Sequence, residues 1–471
     1  MPLSAKYWLP LFAPLLILML PTASFGLAGF TVIEQRILAI FVMATLCWVL
    51  EPIPIFATSV LIIVLELLLV SDSGIKWWQP ASPSAEFGTL LSHKEIMSTF
   101  ASPIIMLFLG GFFLAIAATK YRLDMNLARV MLRPFGQNPN RVLLGLMGIT
   151  ATFSMFMSNT ATTAMMLSIL TPVLALLGPR DPGRIAFTLA IPVAANLGGI
   201  GTPIGTPPNA VALKYLVGDD AISFAAWMSF GVPFVLLMLG FGWLLLIRLF
   251  PCEQGRIDLE IKGHFLKTPK ALLVYATFIL TIGLWLTGDW HGINSYTVGL
   301  VPVAIFLIGQ VLTKDDLKKV SWDVLWLVSG GIALGMGLEK SGLAASLVQA
   351  IPFSQWPPML IMVGATGLCL LMANFMSNTA CANLLLPMVA ALGSSLDLGS
   401  VGGSMGLILS VTFAASLGMA LPISTPPNAL AHASGNVDTR HMALVGVSCG
   451  GVGFLLCLAM IALLNAIGFV Q

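Results

Sequence analysis

The sequence predicts an all-α protein that crosses a membrane many times, and three observations support this fold class. Hydrophobic residues make up 58% of the 471 residues, and the mean hydropathy is +0.96. Charged residues contribute 9%, against about 25% in an average soluble protein. The apolar runs are continuous and long enough to cross ~30 Å of hydrocarbon, whereas membrane β-barrel strands alternate apolar and polar residues.

Charged and Pro/Gly-rich stretches divide the chain into segments. Single crossings are predicted at 8–28, 34–50, 54–71, 98–119, 224–249, 271–287, 295–313, 322–339 and 441–469. Four other apolar stretches are long and are interrupted by small polar residues or proline. We interpret 141–178 and 358–395 as re-entrant hairpins, and 184–217 and 400–434 as broken crossings. The prediction is therefore eleven transmembrane helices plus two hairpins, with the termini on opposite sides of the membrane.

The distribution of basic residues predicts the orientation. A cytoplasmic N-terminus and an extracytoplasmic C-terminus place 17 of the 22 Lys and Arg residues inside. We expect an inner or plasma membrane location, with the lipid bilayer as the main partner. The net charge of +2 and the lack of a basic tail argue against a nucleic-acid partner. The six cysteines form no C-x-x-C pair, so we expect them to pack as small hydrophobic residues.

The chain contains an internal repeat of about 220 residues. Ser158-Asn159-Thr160-Ala161 recurs from Ser377, and Thr206-Pro207-Pro208-Asn209-Ala210 recurs from Thr425, both at an offset of 219. Five crossings per repeat invert the second copy relative to the first, which is typical of secondary transporters. The predicted organisation is an N-terminal helix (1–33), a first repeat (34–250), a cytoplasmic linker (251–270) and a second, inverted repeat (271–471).

The residues at the four breaks predict helix N-termini at membrane depth. Thr206 and Thr425 are suitable N-caps with Pro207 and Pro426 at the first helical position. We expect the returning hairpin arms to open at Thr160 and Thr379. Each N-terminus carries roughly +0.5 elementary charge, so four together suit a dianion. Free carbonyls with Ser and Asn oxygens suit Na⁺, and the breaks contain no acidic residue for a carboxylate-based proton relay.

At these residues the sequence resembles the divalent anion/sodium symporter family, and the resemblance covers nearly the whole chain. It implies a homodimer with a scaffold domain and a transport domain that moves across the membrane as an elevator. The substrate-binding residues, implied by the resemblance together with the helix starts, are Asn159, Thr160, Thr206, Pro207, Asn378, Thr379, Thr425 and Pro426.

The resemblance also implies two Na⁺ sites. The first comprises Ser154, Ser158, Asn159 and the carbonyl of Gly205. The second comprises Ser377, Asn378, the carbonyl of Ser424 and position 373. Family members often have a hydroxyl at this last position, whereas here it is Ala373. We therefore expect the second site to be weaker, water-filled or lost.

These features predict a carrier and not an enzyme, because no nucleophile with a base and no metal cluster is evident. The expected substrate is a di- or tricarboxylate, with C4 dicarboxylates such as succinate, malate or fumarate first, moved inward with Na⁺. A Na⁺-independent dicarboxylate exchanger and a Na⁺/sulfate symporter are the alternatives. The glycine pairs at 110–111 and 330–331 are expected to allow close helix packing, and Glu66 is expected to have a structural or interfacial role.

Overall fold

The computed structural model describes residues 3–80, 84–257 and 264–470. Part of the predicted linker, including Lys262, lies outside these ranges. The regular structure in the described residues is helical, apart from an isolated bridge between Ser71 and Leu91, which confirms the all-α class. Seven helices in these ranges are long and apolar enough to cross a membrane. The protein is therefore a multi-pass membrane protein.

The first half of the chain contains eleven α-helices in its described ranges. They are α1 (Leu3–Met19), α2 (Val32–Leu50), α3 (Ile55–Leu69), α4 (His93–Ser98), α5 (Pro103–Lys120), α6 (Leu123–Leu132), α7 (Pro139–Ser154), α8 (Asn159–Leu176), α9 (Gly183–Ile200), α10 (Pro207–Leu213) and α11 (Phe224–Leu249).

The second half contains eleven more in the part that the structure describes. They are α12 (Pro269–Leu286), α13 (Gly288–His291), α14 (Ser295–Ile308), α15 (Lys314–Leu317), α16 (Trp322–Ser341), α17 (Leu343–Gln349), α18 (Pro358–Ala373), α19 (Asn378–Ser395), α20 (Gly403–Leu417), α21 (Pro426–Ala433) and α22 (Thr439–Ala466). The order of long and short helices from α5 to α11 recurs from α16 to α22.

Several helix boundaries differ from the prediction. The first helix ends at Met19 and not at 28, because Pro21 lacks an N–H donor and disfavours helical geometry in the preceding residue. The helix predicted from 98 begins at Pro103, where the Ser102 hydroxyl accepts a hydrogen bond from the Ile105 N–H at 3.4 Å. The helix predicted to end at 313 ends at Ile308.

The hairpin return arms also begin earlier than predicted. Ser158 and Ser377 are the N-cap residues, so α8 and α19 start at Asn159 and Asn378 and not at the following threonines. The Ser377 hydroxyl accepts from the backbone N–H of Ala380 at 3.2 Å, which is the usual N-cap bond. The asparagine of each SNT motif therefore occupies the first helical position.

The helices form two packed groups. In the first group, α3 packs against α2 and α16, and α14 packs against α5 and α12. In the second group, α9 packs against α7, α8 and α11, while α20 packs against α18, α19 and α22. The groups meet where α16 lies against α19 and α10. Within the second group, α10 packs on α19 and α20, and α21 packs on α8 and α9, so each short half-helix contacts the hairpin of the other repeat.

Glycines make the contacts of α5 and α16 possible. A Cβ atom at Gly110 would overlap the Gly299 carbonyl, and one at Gly330 would overlap Ser59. A Cβ atom at Gly331 would overlap the Asn383 amide, across the boundary between the two groups. The prediction of close helix packing is confirmed at these positions. The packing around Gly111 is looser, because a Cβ atom added there would lie 3.6 Å from Ile204 Cδ1.

Two further expectations concern buried side chains. Five of the six cysteines are buried, as predicted, and Cys252 is partly exposed. Glu66 on α3 is fully buried, and neither carboxylate oxygen has a hydrogen-bond partner in the described residues. Gly337 of α16 leaves the space that the Glu66 carboxylate occupies, because a Cβ there would lie 2.6 Å from Oε1.

Ion pairs to the buried Asp316 connect the end of α5 to the segment before α16. Lys120 Nζ donates to Asp316 Oδ2, and Lys319 Nζ donates to Oδ1 at 2.9 Å. The Thr313 N–H and hydroxyl also donate to the Asp316 carboxylate, each at 2.9 Å. Burial acts to raise the pKa of Asp316, but these hydrogen bonds outweigh it and hold the pKa below its usual range.

We expect Asp316→Asn to lower the melting temperature of the purified protein at neutral pH. A carboxylate with a lowered folded-state pKa stabilises the fold above its unfolded pKa and loses this effect only as pH falls through the folded pKa. The loss should therefore be the same at pH 6 and pH 8, and correspond to about 1.5–3 kcal/mol. Thermal unfolding of both proteins at the two pH values measures it, and Asp315→Asn, at an exposed neighbour, is the control.

Candidate functional site

The four interrupted segments converge on one cavity of about 350 Å³. Its polar wall comes from both hairpin turns and both breaks. The lining residues from these segments include Ser158, Asn159, Thr160, Gly205, Thr206, Pro207, Ser377, Asn378, Thr379, Ser424, Thr425 and Pro426. The structure thus brings together all eight residues expected to contact a substrate. Ser154 and Ala373 lie behind this wall, buried at the ends of α7 and α18.

Four helices begin at the cavity, namely α8, α10, α19 and α21. Their first N–H groups have no intrahelical acceptor and carry the positive end of the helix dipole. The Thr425 hydroxyl accepts from the Asn428 N–H at 3.3 Å, whereas Ser158 and Thr206 make no side-chain cap bond. No lysine or arginine of the described ranges lines the cavity, so its positive partial charges are those of the backbone N–H groups at these helix starts.

Neutral oxygen atoms crowd together in the first repeat. Ser154 Oγ lies 2.6 Å from Asn159 Oδ1 and 2.7 Å from the Ala195 carbonyl oxygen. A Cβ atom at Gly199 would lie 2.8 Å from Asn159 Oδ1 and 3.1 Å from the Gly205 carbonyl oxygen. The missing side chain at Gly199 therefore lets the Asn159 amide, whose Nδ2 would lie 2.9 Å from such a Cβ, and the Gly205 carbonyl pack closely on α9. Their oxygens are of the kind that hard cations prefer.

The second repeat is built differently. Ala373 supplies no hydroxyl, and Asn378 Oδ1 is buried without a hydrogen-bond partner among the residues the structure describes. Ser424 Oγ is already engaged, because it donates to the Asn374 carbonyl at 2.7 Å and accepts from the Leu421 N–H at 3.0 Å. A buried oxygen without a partner costs about 1–3 kcal/mol. Asn378 Oδ1 is therefore an acceptor that a cation would satisfy.

Two polar residues of the cavity wall have no role in the sequence prediction. Asn196, on α9, donates through Nδ2 to Thr425 Oγ1 at 3.1 Å and to Asn428 Oδ1 at 3.2 Å. Its counterpart 219 residues later is Ala415, so the repeat comparison gives no signal for it. Asp323, at the exposed start of α16, is a carboxylate in the wall. Aromatic residues complete the wall: Phe56, Phe108, Phe112 and Phe156.

A second cavity of about 410 Å³ lies between the loops before α11 and α14. Leu107 and Pro203 line this second cavity, whereas their chain neighbours Phe108 and Ile204 line the first. A partition that contains these four residues therefore separates the two cavities. This partition is formed by one helix of the first group, α5, and by the break between α9 and α10 of the second.

Comparison with known proteins gives consistent matches. A family model described as citrate transporter matches residues 45–406. The sodium-dependent dicarboxylate transporter SdcS of Staphylococcus aureus strain NCTC 8325 is 30% identical over 452 residues, covering 87% of this chain and 82% of the relative. SdcS from strains COL and N315 gives the same figures.

A solved structure shares the fold. The YdaH transporter of Alcanivorax borkumensis has a TM-score of 0.56 at 12% identity, covering 88% of this chain and 99% of that one. The family model spans more than half of this chain, and SdcS matches most of both sequences. The protein is thus a membrane transporter and not an enzyme, and the chain belongs to the citrate transporter family and to the divalent anion/sodium symporters that its paired SNT motifs resemble.

Proposed function

We propose that the protein is a secondary active transporter that moves a C4 dicarboxylate such as succinate, malate or fumarate inward, coupled to Na⁺. The observation that carries the proposal is the unpaired, buried Asn378 Oδ1 beside four helix N-termini. A cation would satisfy the unpaired Asn378 oxygen, and an anion would bind at the helix N-termini, so the two ligands would bind together. The sodium-dependent dicarboxylate transport named for SdcS supports this pairing.

Each carboxylate of the substrate would bind at one SNT motif. Because α21 packs on α8 and α10 packs on α19, one end would meet Asn159, Thr160 and Thr425 with Pro426. The other end would meet Asn378 and Thr379 with Thr206 and Pro207. Backbone N–H groups and hydroxyls would supply the hydrogen bonds, as is common for anions at helix N-termini.

Sodium would bind before the anion. The first ion would lie among Ser154, Ser158, Asn159 and the Gly205 carbonyl, where neutral oxygens are already close together. The second would use Asn378 with Ser377 and the Ser424 carbonyl, in spite of the missing hydroxyl at position 373. Bound cations add to the positive potential of the helix starts and offset the desolvation of two carboxylates.

The first helix group would act as the scaffold of a homodimer and the second as the elevator domain. The cavity is lined by the starts of α3 and α16, near the basic segment 314–319. The positive-inside rule favours a cytoplasmic location for this face, and the structure would then correspond to an inward-facing state. The inverted repeat would provide the outward state by exchanging the contacts of its two halves.

Uptake of radiolabelled succinate into proteoliposomes tests the proposal. We expect uptake to require an inward Na⁺ gradient and to disappear when K⁺ replaces Na⁺. Uptake that is independent of Na⁺ but requires internal succinate would instead establish an exchanger. That result would contradict the role of Asn378 as a cation ligand. Competition by citrate and sulfate in the same vesicles ranks the alternative anions.

A further inference from the structure

Three buried polar side chains connect α9 of the first repeat to the start of α21 in the second. Asn196, Thr425 and Asn428 are each at most 4% exposed. We call these three residues the polar relay. Each hydrogen bond among them has a fixed donor and a fixed acceptor, and the series of bonds ends at the cavity wall.

The direction is set by backbone carbonyls, which can only accept. Asn428 Nδ2 donates to the Met419 carbonyl at 2.7 Å and to the Leu421 carbonyl at 3.0 Å, which uses both of its hydrogens. The Asn428 amide is therefore oriented with Oδ1 on the opposite side, where only a donor suits it. Asn196 supplies that donor through Nδ2 at 3.2 Å, so its own amide is oriented as well.

The second Nδ2 hydrogen of Asn196 goes to the Thr425 hydroxyl at 3.1 Å, which also accepts from the Asn428 N–H at 3.3 Å. A threonine hydroxyl has two acceptor positions and one donor hydrogen. Both acceptor positions of Thr425 are thus occupied. None of the described residues accepts its hydrogen, and Thr425 lines the cavity, so this hydroxyl is available there only as a donor.

The first repeat lacks this arrangement. Asn209 Nδ2 donates to the carbonyls of Gly199 at 3.0 Å and Thr202 at 2.8 Å, as Asn428 does in its own repeat. The position equivalent to Asn196 is Ala415, and Asn209 Oδ1 has no partner within the described ranges. The Thr206 hydroxyl makes no side-chain cap bond, so it is free to rotate and either donate or accept.

We infer that Asn196 is a positioning residue that fixes the Thr425 hydroxyl as a donor, so that this end of the site selects a hydrogen-bond acceptor such as an ionised carboxylate. The Thr206 end tolerates a ligand group that donates. The inference deepens the proposed function and rests on it. Succinate is then bound well in either direction, and its monoamide, succinamate, is bound only with its amide at the Thr206 end.

Asn196→Asp tests the relay with little change in size. The aspartate would accept the Thr425 hydrogen and leave the hydroxyl oxygen facing the cavity. We expect roughly tenfold weaker succinate binding, the order expected of one hydrogen bond to a charged group, and a smaller preference for succinate over succinamate. Affinities come from ligand-dependent thermal stabilisation of the full-length protein in Na⁺, with Asn140→Asp at an exposed position as the control.

A double-mutant cycle separates the relay from a general structural effect. In a Thr425→Val background, Asn196→Asp should no longer change the succinate to succinamate ratio, whereas in a Thr206→Val background it should change it fully. Equal effects in both backgrounds would overturn the relay. If Asn196→Asp does not fold, the two valine variants test the relay by themselves. Thr425→Val should then weaken succinate binding more than Thr206→Val does. Equal losses of succinate binding in the two variants would refute the relay.

The outcomes distinguish the two proposals. Na⁺-driven succinate uptake by the wild-type protein, with a ratio unaffected by Asn196→Asp, overturns the relay alone. A ratio that responds as expected, without Na⁺-driven uptake in proteoliposomes, overturns the proposed transport function and leaves the relay supported.

Discussion

Asn378→Ala should abolish Na⁺-driven succinate uptake, with a rate at least a hundredfold below the wild type. The substitution removes the buried Oδ1 oxygen that has no partner within the described residues, and it removes the amide at the first position of α19. In the proposed site this loses a cation ligand and an anion contact together, which should cost about 3 kcal/mol or more. Initial rates of labelled succinate uptake, at saturating Na⁺, measure the effect.

The matched control for this variant is Asn140→Ala, which truncates an exposed asparagine near the start of α7. We expect it to retain uptake. Both variants should elute from size-exclusion chromatography as the wild type does, because position 378 begins a helix and alanine is well tolerated there. Substantial uptake by Asn378→Ala would refute the assignment of the second SNT motif to the site.

Gly199→Ala should weaken Na⁺ binding by at least tenfold. The added methyl group would lie 2.8 Å from Asn159 Oδ1, 2.9 Å from Asn159 Nδ2 and 3.1 Å from the Gly205 carbonyl oxygen, so it would push apart the oxygens of the proposed first cation site. Alanine is the better helix former by about 1 kcal/mol, and α9 therefore has no propensity reason to unfold. The Na⁺ concentration that gives half-maximal uptake, and Na⁺-dependent thermal stabilisation, both report the change.

Gly148→Ala is the control, because it adds the same methyl group to a helical glycine of the same repeat where nothing lies within 4 Å. Its Na⁺ dependence should match that of the wild type. An unchanged Na⁺ dependence in Gly199→Ala would show that no cation binds between Asn159 and Gly205, and the coupling would then depend on the second site alone.

Much of the fold is predictable because lipid constrains the sequence strongly. Apolar run length gives the position of most long helices, such as Phe224–Leu249, which matches the predicted 224–249. Helix boundaries that lie within apolar sequence are harder to predict, because the hydropathy does not change there. The first helix and α5 show this, because Pro21 and Ser102 act through backbone geometry and capping.

The residues of the candidate site were predictable to the extent that they repeat. The SNT and TPPN motifs occur twice at one offset, and both copies line the cavity. Asn196 was not predictable in this way, because its counterpart is Ala415. The packing of α21 of the second repeat on α9 of the first is a tertiary contact, and it places Thr425 beside Asn196.

The partition between the two cavities has an electrical consequence. Where both cavities hold water, most of the membrane voltage falls across the protein between them, which includes Leu107, Phe108, Pro203 and Ile204. Moving one elementary charge through 100 mV is worth about 2.3 kcal/mol. A dianion with two sodium ions is neutral and crosses without electrical work, whereas each further cation is driven inward by a negative interior. If the proposed function holds, the current that accompanies succinate uptake therefore counts the sodium ions in excess of two.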